Sequence, residues 1–238
     1  MYAHVPDIND FTRGLKAALK PTGIITLEFP HLLRLIEQTQ FDTVYHEHFS
    51  YLSLHTVSQM FTAAGLRIWD VAALSTHGGS LRVYGCHAED TRETCPSVAA
   101  LLATEVQHGL QTRATYQNFQ AAADRVKDEL LIFLIEQKRR GKKVAAYGAA
   151  AKGNTLLNYA GIKPDLLPFV CDAAQSKQGK YLPGSHIPIT QEAYLQTCHP
   201  DYILILPWNL REEIMSQLAY VREWGGQFVT AVPSLIIG

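Results

Sequence analysis

Two imidazoles and a carboxylate fall within three residues at His46-Glu47-His48, directly after Tyr45. Phe41, Phe49 and Tyr51 flank them. A free imidazole titrates near neutrality, so it can take a proton from carbon or oxygen at working pH. A neighbouring Glu can orient that imidazole or grip a substrate hydroxyl. Apolar rings packed this closely around titratable groups point to the wall of a pocket. The competing reading is a polar loop whose histidines pair locally.

A second cluster lies a hundred residues further on. Gly148-Ala149-Ala150-Ala151-Lys152-Gly153-Asn154-Thr155 follows the apolar run Val144–Tyr147 and leads into a helix expected over Leu156–Ala160. Small residues let a backbone approach a phosphate, and the free amides of a helix start attract it. Lys152 adds a positive charge, and Asn154 and Thr155 add hydrogen-bond donors. The pattern is neither G-x-G-x-x-G, since Ala150 replaces the second glycine, nor a P-loop, since Lys152 precedes Gly153. A turn that needs glycine for packing alone is the alternative. Asp172 closes the next apolar run, where a dinucleotide fold often places a ribose ligand, although a lone acid there also serves as a turn residue. Lys177, Lys180 and Tyr181 in the following loop, and Trp208 and Asn209 after Tyr202–Leu206, belong to the same expected sheet edge. Together these loops suit an anionic ligand.

The elements that must position these residues are legible from periodicity. Residues 8–20 read as a helix stopped by Pro21-Thr22-Gly23, residues 23–29 as a buried strand, 32–36 as a short helix and 55–64 as another. Leu66–Val71 and Ser80–Gly85 alternate like two strands joined through His77-Gly78-Gly79. Residues 97–140 are mostly helical, with Phe119, Ala123, Val126, Leu130 and Phe133 on one stripe. Their basic end, Lys138–Lys143, suits a helix C-terminus better than a nucleic-acid patch. Strands at 144–147, 166–172, 202–206 and 227–229, separated by helical segments including one over 211–221, predict parallel pairing in an α/β unit.

With 238 residues, 47% hydrophobic and 18% charged, the chain can form one large or two small globular domains. A net charge of −1 gives no support to nucleic-acid or anionic-membrane partners. The four cysteines show no C-x-x-C spacing, which disfavours a zinc ribbon or a disulfide framework and fits a cytoplasmic setting. The first residues lack the pattern of a signal peptide, and no apolar run is long enough for a membrane span.

Three stretches together resemble one family: His4-Val5-Pro6-Asp7, Phe41 through Ser53 around Tyr45-His46-Glu47-His48, and Tyr147 through Thr155. The chain is similar to the S-adenosylmethionine-dependent C-methyltransferases that act on nucleotide-linked keto-sugars. The resemblance implies an α/β protein made of a partial class I methyltransferase sheet (residues 1–96), a helical linker (97–141) and a Rossmann-like domain that binds the sugar nucleotide (142–238). The family's zinc-binding cysteine cluster, first methyltransferase strand and cofactor glycine loop have no counterpart here, so a fragment or a shortened product is expected. By resemblance, His48 is the base that removes the proton beside the ketone, Tyr45 and Glu47 contact the sugar, and His4 assists the base or polarises the keto oxygen. The resulting enolate carbon attacks the sulfonium methyl. His77 is placed loosely at the same cleft. The glycine turn and the lysine loop then hold the nucleotide diphosphate.

Three other readings compete. His46 and His48, two apart, could bind a metal with help from Glu28, His31 or His77. The chain could be a nucleotide-sugar binding module without catalysis. A nicotinamide dehydrogenase would rest on the second α/β unit and Asp172.

Overall fold

A computed structural model describes residues 2–238, which form two compact units. One comprises the residues up to Gln38 and His46–Phe119. The other comprises Thr39–Tyr45 and Gln120–Gly238.

In the first unit, helix α1 (Ile8–Ala18) begins at Asp7, whose side chain accepts the backbone N–H of Asp10 at 2.8 Å. Strand β1 (Ile25–Pro30) runs into helix α2 (Leu32–Glu37). Helix α3 (Leu54–Ala63) is capped by Ser53 and stops where Gly65 turns left-handed. Strands β2 (Leu66–Leu74) and β3 (Ser80–His87) form an antiparallel pair, and β1 adds to β3, giving the order β1-β3-β2. The link between β2 and β3 is a left-handed run at His77, Gly78 and Gly79, and a Cβ on Gly79 would lie 2.7 Å from Arg34 Cγ. Phe29, Leu54, Val57, Phe61, Leu81 and Val83 fill the core behind this sheet, with Tyr2 packed among them. Helix α4 (Pro96–Gln107) and the short α5 (Arg113–Gln117) complete the unit.

Helix α6 (Phe119–Arg139) leads into the second unit and buries Ala123, Val126, Leu130 and Phe133 of the expected stripe, while Phe119 at its start is only half-buried. Its basic end is tied down locally: Lys138 pairs with Asp165, and Lys142 with Asp201. The strands are β4 (Val144–Tyr147), β5 (Val170–Cys171), β6 (Ile189–Thr190), β7 (Tyr202–Ile205), β8 (Gln227–Thr230) and β9 (Ile236–Ile237). Their order is β6-β5-β4-β7-β8-β9, parallel throughout except for β9. Helices α7 (Ala151–Tyr159), α8 (Tyr194–Cys198) and α9 (Arg211–Gln217) connect them. The α/β class and the parallel pairing agree with the sequence reading.

Of the boundaries that differ from it, three lie in the second unit beside the expected ligand residues or in its last helix. Helix α7 starts at Ala151 rather than Leu156, because Ala150 is already the extended N-cap and Ala151-Lys152 are good helix formers. Lys152, Gly153, Asn154 and Thr155 therefore belong to the helix, and the turn is only Gly148–Ala150. The strand expected over 166–172 shrinks to Val170–Cys171, because Leu166 and Leu167 donate back to the carbonyl of Lys163 in a turn and Pro168 follows. The helix expected to reach Val221 ends at Gln217, where a tighter 3₁₀ turn over Ala219–Trp224 takes over.

Gly153 lets α7 approach the end of β7: a Cβ there would lie 2.5 Å from Leu206 Cβ. Gly153→Ala should lower stability by about 1–3 kcal/mol through overpacking, despite the better helix propensity of alanine. Urea unfolding of parent and variant measures this, and equal midpoints would refute the packing account.

Candidate functional site

The short turn Tyr2–His4 and the segment after Glu47 are held together in the first unit. The N–H groups of Phe49 and Ser50 donate to the carbonyl of Ala3 at 2.9 and 3.2 Å. This brings the His4 and His48 rings edge to face with centroids 4.8 Å apart, and Tyr51 lies 6.1 Å from His48. His48 is half-buried while His46 and Glu47 are exposed. A half-buried imidazole can accept a proton and still exchange it with solvent. His77 sits in the exposed turn before β3, beside Glu28, which also binds Arg82 at 2.8 Å and Thr76 at 3.0 Å. The bonds from Arg82 and Thr76 hold the Glu28 carboxyl below its usual range.

A buried pair in this unit escaped the sequence reading. Glu105, 0% exposed, accepts His31 Nε2 at 2.8 Å and the backbone N–H groups of Leu54 and His55 at 2.6 and 2.9 Å. It therefore caps α3 from α4 and fixes His31, whose own N–H reaches the carbonyl of Gly79. Burial pushes this carboxyl up, but the three bonds outweigh it and leave it below its ordinary value. His31 and Glu105 lie 74 residues apart, and neither carries a local signal. Among the described residues, no three His, Cys, Asp or Glu side chains gather as a metal site.

In the second unit the carboxyl ends of β4, β5 and β7 bring most of the expected ligand residues together. Gly148 has φ of +91°, and a Cβ there would lie 2.5 Å from Pro207 Cδ. Glycine is thus required by both conformation and space. Asp172 holds the turn: its carboxylate accepts Ala149 N–H at 2.7 Å, Ala174 N–H at 2.8 Å and Lys177 Nζ at 3.1 Å. Lys152 Nζ donates to Asn209 Oδ1 at 3.0 Å and stands 4.4 Å from the centre of the Trp208 ring. Burial draws the Lys152 ammonium below the usual lysine range. Asn154 has a buried Oδ1 without a hydrogen-bond partner. Thr155 turns its hydroxyl back onto the carbonyl of Ala151. Lys180 and Tyr181, the latter 61% exposed, lie in the loop before β6, where Tyr181 faces His186. The sequence reading used Asp42 only as part of a resemblance; it is wholly buried and accepts Trp208 Nε1–H at 2.7 Å.

S-adenosylmethionine does not find its usual cradle here. The strands of the first unit are antiparallel, and β1 enters α2 through Pro30-His31 without glycine. The strand–glycine–helix turn at Gly148 already spends its Ala149 amide on Asp172. Among the described residues none is assigned to that cofactor.

The second unit is thus a mostly parallel sheet with a glycine turn and a lysine at its strand ends, and the first carries two imidazoles in ring contact. Residues 75–233 match the profile of the family described as C-methyltransferase C-terminal domain, and this chain belongs to that family. It is also 39% identical over 232 residues to the C-methyltransferase NovU of Streptomyces niveus, an alignment covering 98% of this chain and 55% of that relative. The chain thus spans about half the length of the curated relative it matches. No helix among the described residues is long and apolar enough to cross a membrane.

Proposed function

We propose that this chain takes part in transferring a methyl group to a carbon beside the ketone of a nucleotide-linked keto-sugar. The observation that carries the chemistry is the His4–His48 pair, an imidazole held at a fixed angle against a second imidazole. In this reading His48 removes the proton beside the ketone, and His4 assists it or donates to the keto oxygen as charge develops there. Glu47 and Tyr45 contact sugar hydroxyls. The ammonium of Lys152, beside Asn209, together with the turn at Gly148 and the start of α7 at Gly153 and Asn154, holds the nucleotide diphosphate, and Lys177 adds charge at the neighbouring loop. Thr155, Asp172, Lys180, Tyr181 and Trp208 complete or shape the binding surface of the second unit, and His77 belongs with the first. S-adenosylmethionine would supply the methyl group as an electrophile to the enolate carbon, while the residues named here hold the sugar and remove its proton. Family membership supports methyl transfer to carbon, and the strand-end cation supports an anionic substrate handle.

Separate calorimetric titrations with thymidine diphosphate and S-adenosylmethionine test this reading. The diphosphate should bind, and Lys152→Met should weaken it by about tenfold or more. S-adenosylmethionine should give little heat with this chain alone. A protein that binds no diphosphate, or binds it equally well without Lys152, would overturn the assignment of the substrate handle. Diphosphate binding without any proton abstraction from a keto-sugar would instead identify a binding module.

A further inference from the structure

We propose that Asp42 is a positioning residue for the diphosphate end of the second unit: through Trp208 and its own charge, it sets the direction and the charge of the Lys152 ammonium. This rests on the reading of Lys152 given above. The geometry is that of one indole shared by two ions. The Trp208 N–H points at Asp42 Oδ2, 2.7 Å away, while its ring face carries Lys152 Nζ at 4.4 Å. Asp42 is 0% exposed, and its Oδ1 is buried without a hydrogen-bond partner. A buried carboxylate with one oxygen unbonded is costly unless a cation compensates it.

Lys152 is that cation. From α7 its Nζ reaches Asn209 and the Trp208 ring in the turn Trp208–Leu210, and Asp42 in the turn Phe41–Thr43 acts on it by charge from the edge of the same indole. Trp208 and Asn209 are neutral, so the charge on this side comes from Asp42. Burial pulls the ammonium down and pushes the carboxyl up, and each ion's charge opposes the other's shift. Without Asp42, the ammonium would lose its counter-charge and shed its proton at lower pH. The same bond holds the Phe41–Thr43 turn against Trp208 within the second unit.

Asp42→Asn separates this role from simple scaffolding, because its amide oxygen can still accept the Trp208 N–H. Protein labelled with ¹³C at lysine Cε, with the Lys152 signal identified by its loss in Lys152→Arg, is titrated without ligand. In Asp42→Asn the Lys152 midpoint should move to lower pH. Thymidine diphosphate affinity should then fall about tenfold between pH 7 and pH 9 in the variant and change little in the parent. A Lys152 midpoint that coincides in parent and variant overturns the proposal. Should Asp42→Asn fail to fold, Trp208→Phe supplies the second test. It keeps a ring against the ammonium and removes the N–H that holds Asp42, so the Lys152 midpoint must shift, and an unmoved midpoint overturns the proposal equally. Loss of diphosphate binding in the unaltered protein would count against the substrate reading, while the Lys152 midpoint still decides the role of Asp42.

Discussion

Replacing His48 with alanine, in a full-length context that binds the methyl donor, should slow methyl transfer by about a hundredfold or more and leave nucleotide-diphosphate affinity within about twofold. The size follows from what a positioned base contributes to removing a proton from carbon. The selectivity follows from the separation of roles: His48 lies in the first unit, while the diphosphate contacts are assigned to Lys152 and its neighbours in the second. His4→Ala should cost less, because its ring supports or polarises rather than accepts the proton. Comparing kcat with diphosphate affinity for both variants checks the ordering. Near-normal turnover in His48→Ala removes that residue from the base role.

Glu105→Ala should destabilise the first unit by about 3–5 kcal/mol, because it leaves His31 and the N–H groups of Leu54 and His55 without their shared buried acceptor. The same carboxylate gives the unit an acid-sensitive element. Its folded value lies below its ordinary one, so its stabilisation is complete above about pH 4.3 and is lost as pH falls through the folded value. Thermal unfolding of parent and variant across pH 3 to 7 should show a gap that is widest near neutrality and narrows in acid. A gap that stays constant with pH would contradict the role given to this carboxylate.

What was legible in the sequence was what short-range periodicity encodes. The stripe from Ala123 to Phe133 marks one face of α6, and the alternation in 66–71 and 80–85 marks the β2–β3 pair. The parallel sheet followed from apolar strands separated by helical segments. Strands β5 and β6 were poorly legible or missed because two residues carry no period, and their pairing is set by neighbours brought in from elsewhere. Gly148 was legible as a turn glycine, yet the start of α7 was not, since Ala and Lys are equally at home in a turn and a first helical turn. The clustering of Lys152 with Asn209 and Trp208 was anticipated only as a shared sheet edge. Asp42 and Glu105 gave no signal, because each finds its partner across a long stretch of chain, 166 residues for Asp42 with Trp208. Nor does any composition shift mark Thr39–Tyr45 as part of the second unit.

The base role of His48 can be tested without a methyl donor. A thymidine-diphosphate-linked keto-sugar is incubated with the protein in deuterium oxide, and loss of the proton signal beside the ketone is followed by NMR. The account predicts exchange at that one carbon well above the rate in buffer, abolished by His48→Ala and retained in Glu105→Gln protein that still folds. Exchange no faster than in buffer, or exchange unaffected by His48→Ala, would contradict it.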